Sequence, residues 1–385
     1  MKDLATELQQ RKSEGLYRSR RITESAQSTE IIIDGKKLLN FCSNDYLALA
    51  NHPDIKQAMK KGLDQYGTGS GSAHLISGHS RAHHALEEEL ADFTGYPRAL
   101  LFSTGYMANS GIAQSLCGQG DGIFEDRLNH ASLLDGALLS GARLQRYGHL
   151  DIDDLNSKLA ASKKQEKLVM TDAVFSMDGD IAPVGELAET CHQHQAWLMI
   201  DDAHGFGTLG KQGRGTLEQL NVSPAEVPIY MATLGKAAGT AGAFVAGSED
   251  LIEYLIQHAR SYVYTTAMPP ALAEASRASL KIIQHESWRR EQLQSLIKRF
   301  RSGAQQLGLQ LMHSATAIQP IVTGDSQQAI RVSEQLLDKN ILISAIRPPT
   351  VPNGSARLRI TLSAAHTEQQ IDQLLNELEK IFSTT

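Results

Sequence analysis

KLVMTDAVF (167–175), WLMID (197–201), IYMATL (229–234) and AGAFVAG (241–247) follow one another within residues 167–247. Each is a near-continuous apolar run of strand length, and helical sequence lies between them. Runs of this kind, apolar on both faces, belong to a buried, mostly parallel sheet covered by helices on either side. ALLF (99–102) opens the same pattern earlier, so residues 55–285 read as one large α/β domain. In such sheets ligands sit beyond the carboxyl ends of the strands, so the residues following each run are the first place to look for chemistry.

Outward from this core the pattern changes. Upstream, EIIIDGKKLLNF places Asp34-Gly35 between two apolar runs, the dipeptide of a tight hairpin turn. Before it, Leu4 and Leu8 lie one turn apart on a charged background, which predicts a short amphipathic helix over residues 3–13, ended by Gly15. Downstream the expected order is helix, strand 318–323, helix 326–339, strand 341–346, strand 356–363 and helix 367–383. Thr367 and Gln370 form a capping box for the last helix. The expected division is therefore 1–54 (N-terminal helix and hairpin), 55–285 (large domain) and 286–385 (a smaller α+β domain).

The 385 residues carry 37 Lys and Arg against 43 Asp and Glu, a net charge of −6. No electrostatic footprint for nucleic acid or an anionic membrane follows from that balance. Three scattered cysteines, Cys42, Cys117 and Cys191, argue against a disulfide framework and for a reducing compartment. The N-terminal segment lacks the apolar core of a signal peptide, and apolar runs such as WLMI are too short to span a bilayer. The expectation is a cytoplasmic protein.

Several polar groups follow the large-domain strands: Gly105-Tyr106, Ser176, Asp201, His204, Thr233 and Lys236. Singly, each has an ordinary structural explanation, Lys236 as a solvated surface lysine and Asp201 as a turn cap. Jointly they suit pyridoxal phosphate, which requires a lysine for a Schiff base, a carboxylate for its pyridine nitrogen, donors for its phenolic oxygen and a phosphate cradle. Gly105-Tyr106 opens a helix whose free N–H groups form an anion site, and Thr233 adds a hydroxyl. Asp201, in an apolar strand, would keep the ring nitrogen protonated.

Competing motifs are weaker. Gly205-Phe206-Gly207-Thr208-Leu209-Gly210 fits the dinucleotide fingerprint of a dehydrogenase, but the KQGRG that follows supplies no helix for a pyrophosphate. Gly235-Lys236 is no P-loop, because Tyr230 and Ala237 occupy the wrong positions. Gly78-His79-Ser80-Arg81-Ala82 approximates a nucleophile elbow without a preceding strand, so Ser80 reads as a helix N-cap. Cys191, His192 and His194 sit on a polar helix and point in different directions, and no metal is expected. A non-catalytic scaffold would not need Lys236, Asp201 and His204 together.

NFCSNDYLALANHP (40–53), GTGSGSAHLISG (67–78), FSTGYMANSG (102–111), DRLNHASLLDG (126–136), FSMDGDIAPV (175–184), IDDAHGFGTLGKQGRG (200–215), TLGKAAG (233–239) and TTAMPP (265–270) together resemble the α-oxoamine synthases. That resemblance covers nearly the whole chain. It implies a fold type I, aspartate-aminotransferase-like architecture with a mostly parallel seven-stranded sheet, a homodimer with shared sites, and pyridoxal 5'-phosphate held covalently on Lys236 as an aldimine. It further implies Asp201 at the pyridine nitrogen, His204 and Ser176 near the phenolic oxygen, and His130 stacked on the ring. Gly105, Tyr106 and Thr233 match phosphate contacts, with Thr265 contributed from the neighbouring subunit. Asn44 and Arg359 match the pair holding the amino-acid carboxylate, while Arg18, Arg347 and Thr350 match acyl-substrate positions. IRPPTVPNGSARLRITLSAAH (346–366) is most similar to the biotin-pathway member, which condenses L-alanine with a pimeloyl thioester of coenzyme A or acyl-carrier protein. A glycine C-acetyltransferase-like activity is the alternative within the group. Departures are local: Ser72-Ala73-His74 replaces a glycine- and arginine-containing loop, and Ala243 a common glycine.

Overall fold

In the computed structural model, which describes residues 2–14 and 16–383, Asp34 and Gly35 both take positive φ (49° and 74°). That geometry closes a two-residue hairpin between β1 (Glu30–Ile33) and β2 (Lys36–Asn40), with Ile33 opposite Lys36. The preceding helix runs from Leu4 to Ser13, with Asp3 accepting the Ala5 and Thr6 amides. Its apolar stripe buries nothing among the described residues: Leu4 is 65% and Leu8 49% exposed. Gly15, the expected end of this helix, lies outside the described residues.

The large sheet contains β3 (Arg98–Phe102), β4 (Gly122–Asp126), β5 (Arg143–Tyr147), β6 (Lys167–Asp172), β7 (Trp197–Asp201), β8 (Ile229–Thr233) and β9 (Ala243–Gly247). Their order is β3-β9-β8-β7-β6-β4-β5, with β9 antiparallel to both neighbours and the other pairings parallel. Alternate residues enter opposite cores. Leu168, Met170, Met199, Met231 and Val245 pack on one face, and Val169, Leu198, Ile200, Tyr230 and Phe244 on the other. Burial on both faces is why these strands read as unbroken apolar runs. Expectation and structure differ at KLVMTDAVF, where the strand stops at Asp172 and Val174 instead bridges Ile181.

The C-terminal unit adds β10 (Ile318–Gly324), β11 (Ile341–Leu342), β12 (Ser344–Ile346) and β13 (Ala356–Thr361). The single strand expected at 341–346 is two. β11 pairs in parallel with β2, while β12 joins β10 and β13 in a separate antiparallel sheet. Buried Ile343 is the hinge between them. The last helix, Glu368–Ser383, starts with the expected box: Thr367 N–H donates to Gln370 Oε1 (3.0 Å), and Gln370 N–H donates to Thr367 Oγ1 (3.2 Å).

The weaker motifs take ordinary structural places. After Gly210 the chain winds through turns, and no helix begins before Thr216. Ser80 caps the helix Arg81–Thr94. Cys191 and His192 lie on the helix Val184–Gln193, with Cys191 buried. Among the described residues no helix is long and apolar enough to cross a membrane.

Candidate active site

Parallel strands deliver their last residues to one edge, and there β6 and β7 end side by side on Asp172 and Asp201. Both carboxyls are buried. Asp201 Oδ1 accepts the Ala203 N–H (3.0 Å), and its Oδ2 accepts from Asn109 Nδ2 (2.8 Å). Its hydrogen-bond partners are thus neutral donors. Asp172 Oδ2 accepts the His130 N–H (2.6 Å), and burial together with the neighbouring Asp201 pushes the Asp172 carboxyl well above the ordinary range. Asn109 also donates to Ser132 Oγ (2.8 Å), which lies 2.7 Å from His130 Nδ1. Burial lowers the His130 imidazole.

Lys236 stands on the turn after β8, its Nζ 2.8 Å from His204 Nε2. Burial lowers the amine to about 8, against the opposing pull of Asp201 and Asp172. For His204, burial and the adjacent Lys236 cation push the imidazole far below its usual value, so the ring is neutral. Donation from Lys236 to Nε2 assigns the ring proton to Nδ1, which is 2.7 Å from Tyr46 Oη. Tyr46 then donates to Asn44 Oδ1 (3.1 Å), and the same oxygen accepts from Arg359 Nη2 (3.2 Å). Arg359, on β13, donates through Nε to the Ser176 carbonyl (2.6 Å). One hydrogen-bonded line therefore runs from the amine of the large domain to a guanidinium of the C-terminal sheet.

Tyr46 and Asn109 lie within the quoted motifs, yet sequence reasoning assigned them no part. Tyr46 is fully buried, its phenol pushed up to about 12 by burial. The usable signal was a polar side chain with no apolar role inside each run: a tyrosine two residues after Asn44, and an asparagine one helical turn beyond Gly105.

Other candidate residues are distributed around this line. Gly105 and Tyr106 form the first turn of the helix Gly105–Leu116, where Thr104 accepts the Met107 N–H. Tyr106 Oη bonds Asp135 at the surface. Thr233 Oγ1 donates to the Gly242 carbonyl (2.9 Å) and accepts the Gly235 N–H (3.2 Å). Arg18, His130, Ser176 and Thr350 line one cavity of about 510 Å3. Arg347 does not line it, and its carbonyl accepts the Thr350 N–H in a backbone turn (3.1 Å). Thr265 is half-buried on the loop after Arg260–Val263, and among the described residues no hydrogen bond joins it to the Lys236 line.

The donor set fits pyridoxal phosphate. A buried carboxylate with neutral partners accommodates a protonated ring nitrogen, an amine of lowered proton affinity suits a carbonyl, and first-turn amides suit a phosphate.

The aminotransferase class I and II family matches residues 36–378. A serine palmitoyltransferase variant from S. paucimobilis, solved with bound PLP–myriocin, superposes with a TM-score of 0.93 at 30% identity, over 99% of this chain and 97% of its own. The chain is a pyridoxal-phosphate-dependent enzyme of fold type I, in the aminotransferase class I and II family. Sequence identity narrows this further. An 8-amino-7-oxononanoate synthase of Thioalkalivibrio sulfidiphilus (strain HL-EbGR7) is 62% identical over 381 residues, 99% of this chain and 97% of that protein. One from Francisella tularensis, known by crystal structure, has a TM-score of 0.79 at 35% identity, over 90% of this chain and 98% of that one. The chain belongs to the 8-amino-7-oxononanoate synthases, acyltransferases dependent on pyridoxal phosphate. Backbone shape does not separate it from a serine palmitoyltransferase; side-chain identity does.

Proposed function

We propose that this enzyme joins L-alanine to a pimeloyl thioester, carried by coenzyme A or acyl-carrier protein, forming 8-amino-7-oxononanoate with release of carbon dioxide and the free thiol. This is a step of biotin biosynthesis, and the reading places it in the cytoplasm, in a homodimer. The carrying observation is the line Lys236–His204–Tyr46–Asn44–Arg359, which sets a proton-accepting amine and a carboxylate-binding guanidinium in one rigid frame. When bound, pyridoxal phosphate supplies an electron sink for charge developing at the α-carbon of the amino acid.

Arg359 and Asn44 hold the alanine carboxylate, the guanidinium supplying charge-assisted donors. Lys236 removes the α-proton. At about 8, its amine is available as a base near neutral pH. Asp201 retains the proton on the ring nitrogen, and Asn109 fixes that carboxylate. With the cofactor bound, His204 and Ser176 would serve its phenolic oxygen and His130 would cover its ring. The first-turn amides of Gly105 and Tyr106 and the hydroxyl of Thr233, together with Thr265 from a second copy, would hold the phosphate. Arg18 and Thr350 receive the acyl substrate at the cavity, with Arg347 behind them on the turn that carries Thr350. Division of the chain into 1–54, 55–285 and 286–385 belongs to the same reading: pairing of β11 with β2 makes the outer segments one body bearing Arg359.

The direct test supplies the purified holoenzyme with pimeloyl-coenzyme A and L-alanine, glycine or L-serine separately. One carbon dioxide per thiol, fastest with alanine, is expected. Faster turnover of glycine with acetyl-coenzyme A would move the chain to a sibling activity. In Arg359→Lys, which loses the planar fork, KM for alanine should rise about 10- to 100-fold while KM for the thioester stays within about twofold. Steady-state kinetics with each substrate varied in turn checks this.

Tyr46→Phe removes the acceptor for His204 Nδ1–H. With the proton no longer pinned there, Nε2 is a poorer acceptor for the ammonium, so Lys236 gives up its proton more readily. The acidic limb of the pH profile of kcat should move to lower pH, and kcat should fall about 5- to 20-fold, consistent with one buried hydrogen bond. An unchanged profile would remove Tyr46 from the line.

A further inference from the structure

We propose that His79, His84 and Glu87 form a binding site for one divalent transition-metal ion of the zinc type, at the sheet edge beside β3. One ligand atom from each of the three lies within 4.8 Å of the others. His79 Nε2 is 3.8 Å from Glu87 Oε2. Two ligands about 2.1 Å from a tetrahedral ion stand roughly 3.4 Å apart, so small side-chain rotations close the set. His84 and Glu87 are three residues apart on the helix Arg81–Thr94 and share a face, while His79 arrives from the turn before it. All three border a cavity of about 480 Å3, open enough for water to complete the coordination.

The surrounding hydrogen bonds prepare these atoms. Glu87 Oε1 accepts the Leu101 N–H (3.0 Å), which leaves Oε2 toward His79. His79 Nδ1 is 3.0 Å from His74 Nδ1, and donation to His74 leaves the Nε2 lone pair of His79 free. The neighbouring imidazole His83 is excluded. Its Nδ1 accepts the Ser80 N–H (3.0 Å) and its Nε2 donates to the Met268 carbonyl (2.7 Å). Arg98, in the same cavity, is paired outward with Glu253 (3.0 Å) and Glu249 (3.5 Å) and does not neutralise Glu87 at contact distance. A cation at this position would replace the contact of Glu88 Oε1 with His84 Nε2 (3.3 Å).

Bound metal would tie the segment His74–Gly78 to the following helix. That segment is a π-helical turn in which Gly78 N–H bonds the Ala73 carbonyl (2.9 Å). Any β-carbon at Gly78 would fall 2.1 Å from the Ser72 carbonyl oxygen, so the tight turn requires glycine.

The test is calorimetric titration of chelator-treated holoenzyme with zinc chloride and, separately, nickel chloride. One equivalent per chain is expected, with affinity reduced at least about tenfold in His84→Gln and in Glu87→Gln and unchanged in His194→Gln. Glu87→Gln retains an acceptor for Leu101, and His84 is half exposed, so His84→Gln disturbs no buried packing and loses only the edge-on contact with the His79 ring. Absence of saturable binding, or equal affinity in wild type and His84→Gln, would overturn the site.

Discussion

In a Lys236→Ala variant we expect turnover to fall by at least about a thousandfold, together with loss of covalent attachment of the cofactor. Two properties disappear at once. The amine at 2.8 Å from His204 Nε2 is the half-buried lysine of the line, and the proposed function makes it both the attachment point and the base that removes the α-proton. Removing it leaves the cradle at Gly105 and the Asp201 carboxylate intact, so noncovalent cofactor binding should survive. Borohydride reduction followed by intact mass measurement separates the two effects: wild type gains the mass of the cofactor, and the variant does not. Appreciable turnover, or a retained covalent adduct, would sink the assignment of Lys236.

The second large effect belongs to Asp201. Asp201→Asn keeps shape and volume while removing the charge, and Asn109 can adapt, because its Oδ1 is buried without a hydrogen-bond partner among the described residues and can turn to accept from the new amide. Folding should therefore be preserved. Chemistry should not be, since a neutral amide no longer holds a proton on the ring nitrogen, and the electron sink weakens with it. We expect kcat to fall about 10²- to 10⁴-fold with a smaller change in KM for alanine, the pattern of an interaction that grows toward the transition state. A circular dichroism melt beside the kinetics distinguishes this from unfolding. If kcat stayed within a fewfold of wild type, Asp201 would have no electronic role.

Much of the scaffold was legible because its determinants are local or periodic. Asp34-Gly35 declares its hairpin through the positive φ angles it tolerates, and Thr367 with Gln370 declares a helix start three residues wide. Strands buried on both faces announce themselves as apolar runs. β5 does not: it is one of the sheet's two edges, RLQRY is mostly uncovered, and no apolar run marks it. β4 was equally silent, since GIFED ends in Glu125 and Asp126, acidic side chains that this sheet buries. Residues 341–346 read as one strand because propensity reports extended backbone and not the partner. Two short strands in different sheets have the same local signature.

The candidate site divides similarly. The residue types that pyridoxal phosphate demands, a lysine, a carboxylate and a glycine-opened helix after successive strands, are written in the chain order, and the motifs around them carried the family resemblance. By itself the sequence determined the fold class, the cofactor chemistry and which side chains could serve, because strand ends in a parallel sheet share one edge. Only the tertiary structure decided how they connect. Tyr46 and Arg359 are separated by most of the chain, and their link through Asn44 exists because β13 of the C-terminal unit docks against the segment following β2. Thr361 N–H bonds the Phe41 carbonyl at 2.8 Å. Proton affinities were decided there as well. Whether Lys236 is an ordinary amine or one at about 8 depends on how much water its neighbours exclude, a property of packing that no local stretch of sequence encodes.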